Sequence, residues 1–417
     1  MGTISEEILT DHVGERVEAG QIVISPVDFT MSQDGTTPLT IMSFNNMQGK
    51  EFKDPDRYAV VIDHNAPSPL EGVSNLHAQM RDFANRYGGI LYDIGAGVCH
   101  QLLPEQGHVL PGEVVIGADS HTCTYGALNC FATGVGSTDL AAAVVSGQTW
   151  FKVPQTIKLV YHGSLQAGVY SKDVALHMVR SLTARGATYK ALELYGEVLD
   201  SLSVEARMTI SNMAVETGAK VGLMRCDGKV DDYLANRATR DYKGVAATQD
   251  AEYERVMEED LSDLPPLVAK PHQVDNVAEV DELVGLDIDQ VFIGTCTNGR
   301  LEDLTVAADI LSGERVDPET RVIVAPASRE ILLRASESGV LDILVKSGAC
   351  VIPPGCGPCV GTCNGIPSDD EVVLSTANRN FKGRMGNRTA EIYLASPATA
   401  AASAIEGKLM DPREVMA

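Results

Sequence analysis

Cys356 and Cys359 stand two residues apart in Val351-Ile-Pro-Pro-Gly-Cys-Gly-Pro-Cys-Val-Gly-Thr-Cys-Asn-Gly365. Pro353 and Pro354 stop the apolar run before them, and the glycines permit a tight bend. A short loop thus carries two thiolates within reach of one metal centre. Three chemistries compete there: a redox dithiol, a zinc site, or part of an iron–sulfur site. A redox dithiol wants its first cysteine at a helix N-terminus, where the dipole lowers its pKa. The residues after Cys359, Val360-Gly-Thr-Cys-Asn-Gly-Ile-Pro367, form a poor helix by propensity. A structural zinc site takes four ligands, usually as two paired sets, and the chain has a single Cys-x-x-Cys. An iron–sulfur site needs a further cysteine. Cys296, in Val291-Phe-Ile-Gly-Thr-Cys-Thr-Asn-Gly-Arg300, also follows a strand-like run. Three cysteines on a four-iron cluster would leave one iron open as a Lewis acid for a substrate hydroxyl or carboxylate.

Such chemistry needs acid–base groups, and the first third of the chain has them in a repeated setting. Tyr58-Ala-Val-Val-Ile62 ends in Asp63-His64. Ile90-Leu-Tyr-Asp93 leads to Gly95-Ala-Gly-Val-Cys-His100. Glu113-Val-Val-Ile-Gly117 leads to Ala118-Asp-Ser-His-Thr122. Open α/β sheets bind ligands at the carboxyl ends of their strands. A single histidine after a strand is more often a satisfied loop residue. Three such histidines, His64, His100 and His121, with Asp63, Asp119 and Ser120 beside them, shift the odds toward a site. Glu193, in the mostly apolar Ala191-Leu-Glu-Leu-Tyr195, is costly to bury without a partner. From the run alone it reads equally well as a surface-facing strand residue.

The elements that must position these groups form three units. Residues 1–155 form a first α/β domain. It opens with a helix capped by Ser5, a short strand at Gln21-Ile-Val-Ile24 and a polar loop from Met31 to Pro38. A helix follows from Asn75 to Tyr87, and a tightly packed helical region from Gly126 to Trp150. Residues 156–278 form a second α/β domain, with an acidic, proline-bearing linker from Glu252 to Glu282 at its end. Residues 279–417 form a third, with strands at Gln290, Arg321, Ala349 and Glu371 and helices near 301–312 and 328–338. Strand–helix alternation of this kind implies mostly parallel sheets.

With 417 residues and 44% hydrophobic composition, the chain has ample material for large cores. The formal charge of −24 argues against a nucleic-acid partner, which needs basic surface. It also requires local cations to receive an anionic substrate. No stretch is long and apolar enough to span a bilayer, and Met1-Gly-Thr-Ile-Ser-Glu-Glu-Ile-Leu9 is not a signal peptide. The expectation is a cytoplasmic protein. Its nine cysteines then read as reduced thiols or metal ligands, with Cys123, Cys130 and Cys350 as buried structural thiols.

Taken together these motifs resemble the aconitase family. The motifs Gln33-Asp-Gly-Thr36, Asp63-His64, Gly97-Val-Cys-His-Gln101, Ala118-Asp-Ser-His-Thr122, Gly294-Thr-Cys-Thr-Asn-Gly-Arg300, Cys356-Gly-Pro-Cys359 and Asn378-Arg-Asn-Phe-Lys-Gly-Arg384 occur in the family's order. The resemblance covers nearly the whole chain. It is closest to large subunits of dehydratases acting on isopropylmalate and homoaconitate. It implies an aconitase-like three-domain α/β/α architecture with a cluster cleft between domains. It also implies one [4Fe-4S] cluster per chain, held by Cys296, Cys356 and Cys359. Three histidine–carboxylate pairs are implied: Asp63 with His64, Asp119 with His100, and Glu193 with His121. In the family the residue matching His64 protonates the departing hydroxyl, and those matching Arg379 and Arg384 lie near the substrate carboxylates. Gln33, Ser120 and Asn378 match residues that line the site.

The activity so implied is a hydro-lyase that reversibly dehydrates a hydroxy di- or tricarboxylate, first of all an isopropylmalate in leucine biosynthesis. Homoaconitate or 2,3-dimethylmalate is the alternative substrate. Asp63-His-Asn-Ala-Pro67 and Gly361-Thr-Cys-Asn-Gly365 depart from the usual isopropylmalate forms. Outside the hydro-lyase class stand a thiol-redox protein built on Cys356 and Cys359, and a non-catalytic cluster-binding regulator. In the family the catalytic base is a serine on a further small domain. Few residues follow Arg384 in this sequence, so a separate small subunit is expected to supply that serine and part of the substrate site.

Overall fold

The computed structural model describes residues 2–416, which form a mixed α/β protein with mostly parallel sheets. The first sheet has five parallel strands in the order Ile90–Tyr92, Tyr58–Val61, Phe29–Gln33, Val114–Gly117, Phe131–Gly134. Its three central strands are buried along their whole length, as parallel sheets covered on both faces require. The second sheet has four parallel strands, in the order Val221–Leu223, Ala191–Tyr195, Thr156–His162, Arg255–Asp260. The third has seven, in the order Val277–Glu279, Leu267–Ala269, Glu391–Leu394, Val372–Ser375, Gln290–Gly294, Arg321–Ala325, Cys350–Val351. Only the contacts made by Leu267–Ala269 are antiparallel there. No helix among the described residues is long and apolar enough to cross a membrane.

Two of these sheets have a switch point. In the first, Phe29–Gln33 is central, and the chain adds strands on one side before returning to the other with Val114–Gly117. In the third, Gln290–Gly294 holds the same position against Val372–Ser375. Loops leaving neighbouring strands at a switch point diverge and open a crevice. The sheets do not fold in isolation from one another. One core joins the second-sheet residues Ile157 and Leu192 to Phe292 and Ile392 of the third. Another joins Val60 and Val114 of the first sheet to Val221 and Leu223 of the second.

Several local expectations are corrected. The first helix is Ile4–Val13, capped by Thr3 in a capping box with Glu6, so Ser5 lies inside it. Met31 and Gln33 belong to a buried strand, and only Asp34 to Thr36 form the turn before the helix Thr37–Asn46. The region from Gly126 to Trp150 holds the end of a 3-10 helix, a strand, the helix Ser137–Ser146 and a second strand. The supposed linker supplies three strands: Arg255–Asp260 closes the second sheet, and Leu267–Ala269 and Val277–Glu279 belong to the third. In Arg255–Asp260, Glu258 and Asp260 are exposed while Met257 and Glu259 are half-buried, so an edge strand with little buried apolar surface read as a linker. Cys350 is exposed, whereas Cys123 and Cys130 are buried.

Candidate active site

The strand ends of the first and third sheets meet at one place. The strand Tyr58–Val61 delivers Asp63 and His64. Asp63 Oδ1 lies 2.7 Å from His64 Nδ1, and Asp63 Oδ2 accepts from Cys99 N at 2.8 Å. Both carboxylate oxygens are thus engaged, which fixes the imidazole's orientation. The backbone of this corner is held by Asp34. Its Oδ1 accepts from Asp63 N at 3.1 Å and His64 N at 2.7 Å, and its Oδ2 accepts from Asn65 N at 2.8 Å. Oδ2 also faces His77 Nε2 at 3.3 Å. Burial would raise the Asp34 carboxyl, but His77, His64 and these amides hold it well below the usual range. Asp34 stands inside the motif Gln33-Asp-Gly-Thr36, of which only Gln33 was expected to line the site.

Asp119 is the second hub. Its Oδ1 lies 2.9 Å from His100 Nε2 and accepts from His121 N at 2.8 Å. Its Oδ2 accepts from Gln33 Nε2 at 3.2 Å and lies 3.5 Å from His64 Nε2. Burial opposes ionisation of Asp119, yet the histidines keep its pKa well below the ordinary value. For His64, burial would lower the pKa, and Asp63, Cys356 and Asp119 more than offset it, leaving it raised well above the ordinary value. The direction of that shift favours the protonated imidazole, the form that can donate a proton. Ser120, next in the chain, lines with Asp119, Trp150 and Lys220 a cavity of about 500 Å³.

The third pair differs from expectation. His121 Nε2 meets Glu216 Oε1 at 2.9 Å, and Arg379 Nε donates to the same oxygen at 2.7 Å. Glu193 does not face His121. It is buried and accepts from Ile4 N at 2.6 Å, Tyr195 Oη at 2.7 Å and Tyr253 Oη at 2.9 Å. In a strand, residues two apart share a face, so Glu193 points with Tyr195 toward the N-terminal helix and away from the histidines. Glu216 comes from a 3-10 turn, Ala214–Thr217, that continues the helix Val204–Met213. Burial would raise its pKa, but His121 and Arg379 hold it below the ordinary carboxylate value.

The third sheet delivers the sulfurs. Cys296 is buried in the short helix Thr295–Asn298, directly after Gln290–Gly294. Thr295 before it has φ +70°, a region that β-branched residues rarely occupy and that marks a constrained corner. Arg300, fully buried, ties this corner down by donating to Cys296 O at 2.6 Å and Thr297 O at 2.8 Å. Cys356 N donates to Asp63 O at 2.9 Å, so the sulfur loop is joined to the acid–base corner by backbone. Gly357 has φ +57°, and a Cβ there would stand 2.9 Å from Ile352 Cδ1. Cys359 closes the turn, its N donating to Cys356 O at 3.2 Å.

Asn378, after Val372–Ser375, lies between two of the thiols, 3.7 Å from Cys296 Sγ and 4.0 Å from Cys359 Sγ. Asn212 donates to Cys296 Sγ at 3.2 Å and accepts from Asn378 Nδ2 at 3.1 Å. Arg384 Nη2 reaches Cys359 Sγ at 3.3 Å, while its Nε is buried and has no hydrogen-bond partner among the described residues. None of the nine cysteines is in a disulfide.

Three buried sulfurs with amide and guanidinium donors around them suit an iron–sulfur cluster, whose sulfurs accept such bonds. Asp63, His64 and Cys356 also bring ligand atoms within 4.8 Å of one another, as do His100, Asp119 and His121. The hydrogen bonds already described account for both groups.

The family model for the aconitase family (aconitate hydratase) matches residues 6–285 and 279–407. A "3-isopropylmalate dehydratase large subunit" of Elusimicrobium minutum is 51% identical over 415 residues, 99% of each chain. A "3-isopropylmalate dehydratase large subunit 1" of Thermotoga maritima is 52% identical over 414 residues, again 99% of each. A "Probable methanogen homoaconitase large subunit" of Methanosarcina mazei is 48% identical over 394 residues, 94% of this chain and 100% of that protein.

Proposed function

The chain belongs to the aconitase family, and we propose that it is the large subunit of an iron–sulfur hydro-lyase that interconverts 2- and 3-isopropylmalate. Cys296, Cys356 and Cys359 would hold one [4Fe-4S] cluster. When bound, such a cluster supplies an open iron that polarises the substrate's hydroxyl and carboxylate. Protonated His64, held by Asp63, gives its proton to the departing hydroxyl, which leaves as water. Addition of water to the unsaturated intermediate at either carbon returns that proton to His64. His100 and His121 stay oriented by Asp119 and Glu216. Arg379 and Arg384 supply guanidinium forks for carboxylates, and Gln33, Ser120 and Asn378 complete the lining.

One observation supports this reading most. The hydrogen bond from Cys356 N to Asp63 O fixes a sulfur loop against the histidine best placed to donate a proton. The base that takes the carbon-bound proton is assigned to a serine of a separate small subunit, in keeping with the relatives' designation as large subunits. That partner would also complete the substrate-selecting wall, which leaves the choice between isopropylmalate and homoaconitate partly outside this chain. The test is anaerobic cluster reconstitution, followed by assays of 3-isopropylmalate and homoaconitate dehydration with and without the small subunit. Turnover of isopropylmalate that requires both subunits is the expected result. Full turnover by this chain alone would send the search for the base to Ser120, and a preference for homoaconitate would replace the substrate.

A further inference from the structure

Lys172 is fully buried near the start of the helix Ser171–Leu182. A cation in the first turn of a helix opposes the macrodipole, and burying an ammonium is costly unless its donors and charge are met. Its Nζ donates to Thr376 O at 2.7 Å and Ala377 O at 2.6 Å. Among the described residues it forms no ion pair with a carboxylate. Burial lowers its pKa, which stands at about 7 even with the upward pull of Asp303, Cys359, Cys296 and Asp173. The two carbonyls it holds directly precede Asn378 and Arg379. Thr376 itself is bound to the other sulfur corner, its Oγ1 accepting from Gly294 N at 2.9 Å and its N donating to Phe292 O at 2.9 Å. Lys172 thus lies where the Cys296 corner and the Asn378 loop leave neighbouring strands.

Two neutral carbonyls do not by themselves call for a lysine, since an amide side chain donates two N–H groups at lower desolvation cost. Keeping the ammonium form at this depth calls for negative charge nearby. The candidates are the sulfurs of Cys359 and Cys296, because the two carboxylates in the same neighbourhood are already engaged: Asp303 by Asn298 Nδ2 at 2.9 Å and Arg300 N at 3.0 Å, and Asp173 by Tyr170 N and Leu267 N, each at 2.8 Å. We infer that Lys172 is a positioning residue and the buried counter-charge of the sulfur site: its ammonium clamps the backbone that carries Asn378 and Arg379 and offsets the anionic cluster held by Cys296 and Cys359. This rests on the cluster reading given above.

Three variants separate the two tasks. Lys172→Gln keeps donors for the carbonyls and removes the charge. Lys172→Arg keeps the charge. Lys172→Met removes both. Iron and sulfide content is measured after anaerobic reconstitution, and the cluster's midpoint potential by spectroelectrochemical titration. Loss of a nearby positive charge disfavours the more negative reduced cluster, so Gln and Met are expected to move the potential to more negative values while Arg stays close to native. The Met variant should also raise KM for the hydroxy diacid by about tenfold over Gln, because only Met releases the Asn378 loop. Cluster loss in Gln with retention in Arg equally favours the counter-charge. A Gln variant with native iron content and native potential overturns the inference, whether or not the Met variant folds. A native chain that takes up no cluster defeats the underlying reading instead, so the two failures are distinguishable.

Discussion

Glu216→Gln and Glu193→Gln should fail in opposite ways. Glu216 accepts from both His121 Nε2 and Arg379 Nε through one oxygen. The amide oxygen of glutamine can keep both contacts, so the change isolates charge. Hydrogen bonds to charged groups are worth roughly 1.5–3 kcal/mol against about 1 kcal/mol for neutral ones. Weakening two of them by about 1 kcal/mol each costs about 2 kcal/mol of alignment, or about thirtyfold in kcat/KM. Arg379 is only 24% exposed in its side chain, so solvent compensates little. Glu193→Gln leaves the histidines untouched. It replaces one acceptor oxygen by an NH₂ group facing donors from Tyr195, Tyr253 or Ile4, at a cost of about 1–3 kcal/mol in stability. The assay is paired: steady-state kinetics of the reconstituted two-subunit enzyme, and thermal unfolding of the large subunit. Glu216→Gln should lose turnover with a nearly native melting temperature, and Glu193→Gln should melt earlier with kcat retained. Loss of turnover in Glu193→Gln at native stability, with Glu216→Gln active, would refute the pairing of His121 with Glu216.

His64→Asn should lower kcat by roughly a hundredfold or more with a much smaller effect on KM, the scale for loss of a general acid. Because the His64 pKa is raised, the proton-donating form persists through neutral pH, and dehydration should fall only as pH rises through that raised value. An alkaline limb centred near the ordinary histidine value would contradict this. Replacing Cys296, Cys356 or Cys359 by serine should each abolish iron retention after anaerobic reconstitution, whereas Cys363→Ser and Cys350→Ser should retain it. Asp34 has a lowered pKa, so its contribution to stability is present above the unfolded carboxyl value and is lost as pH falls through the folded one. Acid unfolding of Asp34→Asn should accordingly start from a lower neutral-pH stability and show a flatter decline below about pH 4, the ordinary aspartate range.

What the sequence made legible follows from where the groups sit. Asp63, His64, His100, Asp119, Cys296, Cys356 and Asn378 all lie in loops or helix starts that follow parallel strands. An apolar run of four or five residues followed by a polar or glycine-rich turn announces such a position. Glu193 was a true signal wrongly placed: a carboxylate in an apolar strand is buried and does need partners. Tyr195, two residues on, already indicated which face it takes. The partner of His121 was hidden because it follows a helix, not a strand. Its available sign was Asn212 and Glu216, polar residues four apart and so on one face of a buried helical segment. The strands between Arg255 and Glu279 were hidden differently. Acidic side chains and three prolines gave the composition of a linker, although backbone pairing to Thr156–His162 fixes the first of those strands.

These misses share an origin in the second sheet and its helices. No strand end of that sheet reaches the site, yet its helices deliver Asn212, Glu216 and Lys172 behind the first layer of functional groups. Bracing residues of this kind act through the side chains or backbone they touch, so neither a strand-end rule nor a ligand motif points to them. They also resolve the apparent conflict between a chain of formal charge −24 and an anionic substrate. Arg379, Arg384, Arg300 and Lys172 cluster about the sulfurs and the carboxylates, where low dielectric makes each charge count for more than one on the solvated acidic surface. The cations available to a substrate carboxylate are therefore a property of a few buried positions, so the overall charge of the chain, which counts against a polyanion spread over its surface, does not count against a small anion in the site.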